Sequence, residues 1–381
     1  MDLYDNTFVV PGPVKIHPRV LRAMSVPAMG HRSKEYKAMI HEMTGLLQYL
    51  FQSKNDVCLV SGSGTAGVDM VMSNLFAKDE KAVVLDNGKF GERVGEMANM
   101  YCKTVLYKQP WGKAPDMEGF ARLVEKEKPK AVIFCHNETS VGLTNNAELI
   151  SKIAKENDAI FVLDGITAIG GLDVPCDKWG VDAAIFGSQK CVAAPSGLAG
   201  ICISKRFMES AKGPRSYYLD IKKHIDQWMT KDDTPYTSAI PLFLAMYEAL
   251  RMVKEDGLEN RIKRNAALAG GCYAAMEALG LEGYTDKAWR SNTVVAIRNP
   301  MGKGDEFRNM IRDKYGVVLA GGQSEVKGKI WRIGTMGVVT HREIFATWGS
   351  VEMALKEIGY KFEPGAGLGA LSKYLSANLK L

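Results

Sequence analysis

Short apolar segments alternate along this chain with longer segments of helical periodicity. The apolar segments are typical of β-strands and cover residues 57–60, 82–86, 131–135, 160–164, 183–186 and 200–204. Between most of them the apolar residues recur at helical spacing, for example over residues 68–76, 117–127 and 147–156. Strands that alternate with helices in this way form a mostly parallel sheet covered by helices on both faces. The sequence therefore predicts an α/β fold.

The pattern changes after a long helical region over residues 241–279, which is interrupted near Gly257. Further strands are predicted at residues 293–298, 317–320 and 329–333, with helices at residues 306–314 and 342–358. This order is typical of a smaller α+β domain, whereas the proline-containing N-terminus is expected to be an extended arm. We predict an arm over residues 1–20, a large α/β domain over residues 21–255 and a small α+β domain over residues 256–381.

Charge, cysteine content and hydropathy exclude several classes of protein. The 49 Lys and Arg residues exceed the 43 Asp and Glu residues by only six over 381 residues, which suits an anionic small substrate and calls for neither a nucleic-acid nor a membrane partner. No apolar run approaches the roughly 20 residues of a membrane span, and the N-terminus lacks the pattern of a signal peptide. Seven cysteines without a CxxC pair predict neither a disulfide framework nor a zinc site. We expect a soluble cytoplasmic protein without a metal.

A glycine-rich loop, SGSGTAG at residues 61–67, leads directly from the first predicted strand into a helix. Its glycines allow close approach of a ligand, the helix N-terminus offers free N–H groups, and Ser63 and Thr65 add hydroxyls. These features predict a phosphate site, with a simple tight turn as the alternative. The loop also fits the dinucleotide pattern G-x-G-x-x-G, with Asp86 ending the next predicted strand. A nicotinamide-dependent oxidoreductase therefore stays open, although more than fifty residues precede a motif that normally opens its domain.

A carboxylate and an amine follow two other predicted strands. Asp164 ends one of them, and Lys190 lies after Gln189 just beyond the next. Because the carboxyl ends of parallel strands meet at one edge of the sheet, both side chains are expected there. Pyridoxal phosphate chemistry uses a lysine that forms a Schiff base, a carboxylate that keeps the pyridine nitrogen protonated, and a phosphate loop. The three features in order favour a pyridoxal phosphate enzyme.

On these motifs the sequence resembles the class V aminotransferases of pyridoxal-phosphate fold type I, in particular the alanine–glyoxylate and serine–pyruvate group. The resemblance covers nearly the whole chain and is carried by ordered blocks that include PGPVKIHPRVLRAM, SGSGTAG, NGKFGER, HNETSVG, FVLDGITAIGG, FGSQKCVAAPSGLA, TPYTSA and KIWRIG. It implies a mostly parallel seven-stranded sheet in the large domain and an α+β C-terminal domain. It also implies a homodimer in which the partner chain completes the active site.

The resemblance implies a role for each matching residue. Lys190 would carry the internal aldimine and move the substrate α-proton, and Asp164 would pair with the pyridinium nitrogen. The other residues implied to bind the cofactor are Ser63, Gly64, Thr65, Phe90, Thr139, Gln189, Tyr236 and Thr237. Of these, Tyr236 and Thr237 would reach the phosphate in the partner chain. Gly12 and Arg332 are implied to contact the substrate, with Arg332 holding its α-carboxylate.

The implied activity is the transfer of an amino group from alanine or serine to glyoxylate or pyruvate by a ping-pong mechanism. Aspartate is an alternative donor, and its second carboxylate would need a second cation, for which His31 and Arg32 are candidates. A lyase or desulfurase of the same fold would need a mobile cysteine, but Cys191 lies in an apolar segment next to Lys190. A non-catalytic protein of this fold is disfavoured because every chemically required position is filled.

Overall fold

The computed structural model describes residues 6–27 and 29–379. The strands in these residues are β1 (Thr7–Phe8), β2 (Asp56–Ser61), β3 (Lys81–Asp86), β4 (Lys103–Lys108), β5 (Ala131–Cys135), β6 (Asn137–Glu138), β7 (Leu143–Thr144), β8 (Ile160–Asp164), β9 (Ala183–Gly187), β10 (Leu198–Ile203), β11 (Val294–Arg298), β12 (Val317–Val318), β13 (Ala320–Gly321) and β14 (Ile330–Gly334). The α-helices are α1 (Pro18–Ala23), α2 (Lys34–Phe51), α3 (Gly64–Leu75), α4 (Lys89–Tyr101), α5 (Met117–Glu127), α6 (Ala147–Glu156), α7 (Cys176–Trp179), α8 (Lys205–Ser210), α9 (Ile221–Lys231), α10 (Ile240–Asp256), α11 (Leu258–Ala278), α12 (Gly304–Tyr315), α13 (His341–Glu357) and α14 (Ala366–Asn378).

A seven-stranded sheet with the order β2-β10-β9-β8-β5-β3-β4 forms the centre of the molecule. Six strands run in one direction, and β10 runs antiparallel to its two neighbours. Every residue of β5, β8 and β9 is buried, as expected for strands with helices on both faces. The predicted α/β fold with a mostly parallel seven-stranded sheet is confirmed.

The C-terminal half has a second hydrophobic core, built around Trp331, Trp348 and Phe307. Its three-stranded sheet has the order β11-β14-β13 and is antiparallel. The prediction of one continuous strand over residues 317–320 is wrong. This segment divides into β12, which pairs with β1, and β13, which pairs with β14. The buried Leu319 lies between the two pieces. The strand is interrupted there because β12 and β13 belong to different sheets.

The N-terminal segment crosses from the second core to the central sheet. Strand β1 pairs with β12, and the carbonyl of Val9 accepts a hydrogen bond from Gly334 N at 2.7 Å. Farther along, Val14 N donates to the carbonyl of Gln189 at 3.0 Å. This path lays the intervening residues beside Lys190. Residues 1–5 of the predicted arm lie outside the described residues.

The described residues contain neither a membrane-spanning helix nor a cluster of metal ligands. No helix in this part of the chain combines the length and apolar character needed to cross a membrane. Within the same residues, no group of three or more His, Cys, Asp and Glu side chains is placed to hold a metal ion. The seven cysteines are free and buried.

Candidate active site

The glycine-rich loop turns the N-terminus of α3 toward a buried cavity of about 120 Å³. Ser63 occupies the position before the first helical residue, yet within the described residues its side chain accepts no hydrogen bond from the helix. Ser63, Gly64 and Thr65 all line the cavity. The hydroxyls of Ser63 and Thr65 and the free N–H groups of the first helical turn therefore form an anion-binding cradle.

Asp164 and Lys190 line the same cavity. Asp164 is the last residue of β8 and Lys190 follows β9. These strands are parallel neighbours, which is why side chains 26 positions apart in the sequence meet. The carboxylate of Asp164 is buried, and its Oδ1 accepts a hydrogen bond from Ile166 N at 3.0 Å. Lys190 Nζ donates to the carbonyl of Pro11 at 2.9 Å. The predicted carboxylate–amine pair is thus brought together at one edge of the sheet.

Burial governs the protonation of both groups. It lowers the pKa of Lys190 to about 8, and the positive charges of Arg332 and Arg93 act in the same direction. It raises the pKa of Asp164, against the opposing effects of the Ile166 N–H group and of the Arg93 and Lys190 charges. Near neutral pH, part of the Lys190 population is therefore the uncharged amine. An exposed lysine with the ordinary pKa of 10.5 would be almost fully protonated at the same pH.

Gly12 lies directly against the lysine side chain. Its φ of +100° is in the region that favours glycine. A Cβ atom at this position would lie 2.4 Å from Cδ and 2.5 Å from Nζ of Lys190. A side chain at this position would therefore displace Lys190 from its present position.

Phe90 lies in the first turn of α4 and is held there by a buried carboxylate. Glu138 Oε2 accepts hydrogen bonds from Phe90 N at 3.1 Å and Gly91 N at 2.9 Å. The guanidinium of Arg93 lies 4.7 Å from the centroid of the Phe90 ring, and its buried Nε has no hydrogen-bond partner among the described residues. Arg93 lines the cavity but was not predicted, although its spacing of three residues from Phe90 on one helix was a usable signal.

Thr139 lines both this cavity and an outer one of about 500 Å³, which is also lined by Gly12, Phe90, Lys190 and Arg332. The hydroxyl of Thr139 is 2.7 Å from that of Thr167, and its carbonyl accepts a hydrogen bond from Arg332 Nη1 at 2.8 Å. The carbonyl of Gly321 accepts Nε and Nη2 of Arg332 at 3.1 and 2.6 Å. Burial lowers the pKa of Arg332 to about 10, with Glu138 opposing this effect. A cation of the outer cavity is therefore held by hydrogen bonds, one of them to a residue that lines both cavities.

Gln189, Tyr236 and Thr237 are not equally placed. Gln189 lines the inner cavity, and its buried Oε1 has no hydrogen-bond partner in the described structure. Tyr236 and Thr237 instead line a separate hollow beside Tyr218, so within this chain they are not brought to Lys190. Their role at the phosphate therefore stays a prediction.

The two cations suggested for a second carboxylate, His31 and Arg32, line neither of these cavities within the described residues. Arg32 instead pairs with Asp233 at 3.3 Å. The outer cavity is lined by two other cations that the sequence analysis did not single out, Arg308 and Lys327.

The polar atoms of the inner cavity fit pyridoxal phosphate. The cradle at α3 suits a phosphate, the buried Asp164 suits a protonated ring nitrogen, and Phe90 offers an apolar face to the ring. The amide of Gln189 and the amine of Lys190 line the same space. The phosphate, the ring nitrogen, the ring face and the aldehyde of the cofactor thus each have a matching group in this cavity.

The order of the strands does not support the dinucleotide alternative. Strand β2, which leads into the glycine-rich loop, is five strands away from β3, which ends in Asp86. At roughly 4.8 Å per strand this places the two strands about 24 Å apart, too far for Asp86 to contact a nucleotide bound at the loop. A desulfurase is likewise not supported, because Cys191 is buried and its burial raises the pKa of its thiol to about 12.

Comparison with known proteins agrees with this geometry. The sequence profile of the family described as aminotransferase class-V matches residues 19–341. The chain is 37% identical over 95% of both chains to an uncharacterized aminotransferase of Methanocaldococcus jannaschii. It is 32% identical to a serine–glyoxylate aminotransferase of Methylorubrum extorquens, covering 98% of this chain and 96% of the relative. The crystal structure of ureidoglycine–glyoxylate aminotransferase from Bacillus subtilis is similar with a TM-score of 0.93 and 31% identity, covering 97% of this chain and 98% of that one.

Proposed function

We propose that this chain, a member of the class-V aminotransferase family and a pyridoxal-phosphate-dependent enzyme, transfers the amino group of alanine or serine to glyoxylate or pyruvate. The observation that carries the proposal is the single buried cavity that contains Asp164, Lys190 and the open N-terminus of α3. The name of the relative from Methylorubrum extorquens pairs serine with glyoxylate, which supports a small donor and a small 2-oxo acid acceptor.

Pyridoxal phosphate, when bound, supplies an electron-accepting ring and an aldehyde carbon that takes up the amino group. In our proposal Ser63, Gly64 and Thr65 hold its phosphate, with Gln189 beside them. Asp164 would keep the ring nitrogen protonated, and Phe90 and Thr139 would help to hold the ring. All of these residues line the cavity that also contains Lys190.

Lys190 is the proposed general base. Its free Nζ would take up the α-proton of the substrate and hold it for the return transfer. The carbonyl of Pro11, 2.9 Å from Nζ, limits the positions that the amine can adopt. The lowered pKa of Lys190, about 8, keeps part of the amine deprotonated near neutral pH, as proton abstraction requires.

Arg332 is proposed to bind the α-carboxylate of the substrate, because its planar fork suits that group. It extends from the proposed small domain, residues 256–381, toward a cofactor held by the proposed large domain, residues 21–255. Gly12, in the arm, would present its backbone to the substrate. Since amino acid and 2-oxo acid would use the same contacts in turn, ping-pong kinetics belong to the proposal.

A homodimer also belongs to the proposal. Tyr236 and Thr237 lie away from the cavity of their own chain, and the neighbouring Tyr217 is 79% exposed. A partner chain that covered this surface would bring Tyr236 and Thr237 to the phosphate site of the other subunit. We further place the enzyme in the cytoplasm, because its seven cysteines are all free.

Initial rates test the substrates. With alanine or serine as donor and glyoxylate as acceptor, the loaded enzyme should form the amino acid derived from glyoxylate. Varying one substrate at several fixed levels of the other should give parallel double-reciprocal lines. Failure of both donors with both glyoxylate and pyruvate would refute the substrate assignment, and intersecting lines would refute the ping-pong order.

The lowered pKa of Lys190 predicts how the cofactor-free protein takes up pyridoxal phosphate as pH changes. Only the free amine reacts, so the uptake rate should rise about tenfold per pH unit below a pKa of about 8 and level off above it. A lysine with the ordinary pKa of 10.5 would give a rate that still rises at pH 10. Stopped-flow absorption measures the rate, and a continued rise beyond pH 9 would contradict the burial effect.

A second candidate donor, aspartate, is favoured by the position of Arg308. A Cβ atom on Gly321 would lie 3.2 Å from Arg308 Nε, and the carbonyl of the same glycine accepts two hydrogen bonds from Arg332. The two arginines therefore lie close to one residue, and both line the outer cavity. Among the described residues, the ion pair of Arg308 is a long contact of 3.4 Å to Asp305. This arrangement offers one cation to each carboxylate of a dicarboxylic substrate.

Replacing Arg308 with glutamine distinguishes aspartate from alanine as the amino donor. If Arg308 binds the second carboxylate, kcat/KM for aspartate should fall about 10- to 100-fold, while the value for alanine should stay within about twofold, since alanine lacks that carboxylate. Arg312→Gln, an exposed position on the same helix α12, is the matched control. A wild-type enzyme inactive with aspartate, or an equal loss with both donors, would eliminate aspartate as the specific substrate.

A further inference from the structure

A second large cavity, of about 1260 Å³, lies along α11. The end of α14 and residues 287–292 complete its walls. Among the described residues, none that lines it also lines the two cavities at Lys190. Nothing in the proposed reaction uses it.

Its walls carry an excess of positive charge. Five cationic side chains line it, namely Arg261, Lys263, Arg264, Lys287 and Arg290. Lys263 is paired outside the cavity with Glu259 at 2.6 Å. The other four share two carboxylates, because Asp256 Oδ2 lies 2.9 Å from Arg261 and 3.9 Å from Arg264, while Glu277 Oε1 lies 2.7 Å from Arg290 and 3.6 Å from Lys287. Two cationic charges are thus left without a counterion in the walls.

The arginines of this cavity also have unused hydrogen-bond donors. Arg261 is 2% exposed, and its Nη1 has no acceptor among residues 6–27 and 29–379. In the same part of the chain, the buried Nε atoms of Arg264 and Arg290 also lack acceptors. Buried donors without acceptors are costly. Burial also lowers the pKa of Arg261 and of Arg264, and the charge of Arg261 adds to the effect on Arg264. An anion with several oxygen acceptors in this cavity would balance the excess charge of its walls.

We propose that this cavity, lined by Arg261, Arg264 and Arg290, is a binding site for a small oxyanion separate from the active site. The ligand carries a phosphate or carboxylate group that accepts hydrogen bonds from the arginines and balances the charge that Asp256 and Glu277 leave uncompensated. Arginine suits either group, because its planar donors match two oxygens at once. The volume accommodates a metabolite that carries such a group.

Calorimetric titration of the enzyme loaded with pyridoxal phosphate tests the proposal, with inorganic phosphate and succinate as separate probes. We expect saturable binding of at least one probe. Arg264→Gln and Arg290→Gln should each weaken it about tenfold or more, and added salt should weaken it further. Binding of phosphate alone identifies a phosphate ligand, and binding of succinate alone identifies a carboxylate ligand.

Two further variants locate the binding. Arg251→Gln removes one positive charge from the exposed surface of α10 and should leave binding unchanged. Arg332→Gln removes the carboxylate-binding candidate of the active site and should also leave it unchanged. Melting temperatures verify that each variant is folded. Arg264, whose side chain is 29% exposed, provides the test if Arg290→Gln does not fold. Absence of saturable binding in the millimolar range, or binding lost in Arg332→Gln and retained in Arg264→Gln, would overturn the proposal.

Discussion

Replacing Lys190 with alanine should lower kcat for transamination about 10⁴-fold, the upper end of what a general acid–base group contributes. The reason is that Lys190 supplies the only amine that lines the inner cavity among the described residues. Steady-state rates with alanine and glyoxylate measure the loss.

The matched control is Lys108→Ala, which removes an exposed lysine at the end of strand β4. It should keep wild-type rates, and both variants should have the melting temperature of the wild type to within a few degrees. A Lys190→Ala enzyme that retained a tenth of the wild-type kcat would contradict the assignment of Lys190 as the base.

The second large effect is expected for Asp164→Asn, which should lower kcat about 10²- to 10³-fold. Asparagine has nearly the same size but carries no charge, so it cannot favour a protonated ring nitrogen. The cofactor should still bind, because the phosphate cradle and Lys190 are unchanged. Measuring kcat together with the amount of bound cofactor separates loss of chemistry from loss of binding.

Asp86→Asn is the control for this prediction, because Asp86 also is a buried carboxylate that ends a parallel strand. It lies at the end of β3, outside both cavities at Lys190 in the described structure. The control should retain kcat within about twofold. Equal losses in the two variants would mean that Asp164 acts through stability and not through the cofactor.

The strands of the central sheet could be predicted from the sequence because most of them are continuous apolar segments. Strand β4 was missed, since its sequence KTVLYK begins and ends with exposed lysines at the sheet edge. Helix α14 was also missed. Its small residues give a weak helical pattern, and its place depends on α11, where a Cβ on Gly270 would lie only 2.2 Å from the hydroxyl of Tyr374. Such a contact between distant segments leaves no mark in local periodicity.

Site residues could be predicted where the chemistry requires one particular residue type. Asp164 ends one buried strand and Lys190 follows the next, and the topology of parallel strands brings them together. Glu138 and Arg308 could not be assigned in this way. Glu138 acts by accepting the backbone N–H groups of Phe90 and Gly91, and Arg308 reaches the outer cavity from a helix of the second core. Their roles depend on packing between segments that are far apart in sequence.

The most direct test of the proposed reaction is the absorption spectrum of the enzyme loaded with pyridoxal phosphate, recorded before and after L-alanine and again after glyoxylate. If Lys190 and Asp164 carry out amino-group transfer as proposed, the visible band of the bound cofactor should disappear with alanine and return with glyoxylate. The same additions to Lys190→Ala should not produce this cycle. A wild-type protein that stays colourless with the cofactor, or whose band neither alanine nor serine changes, would contradict the account.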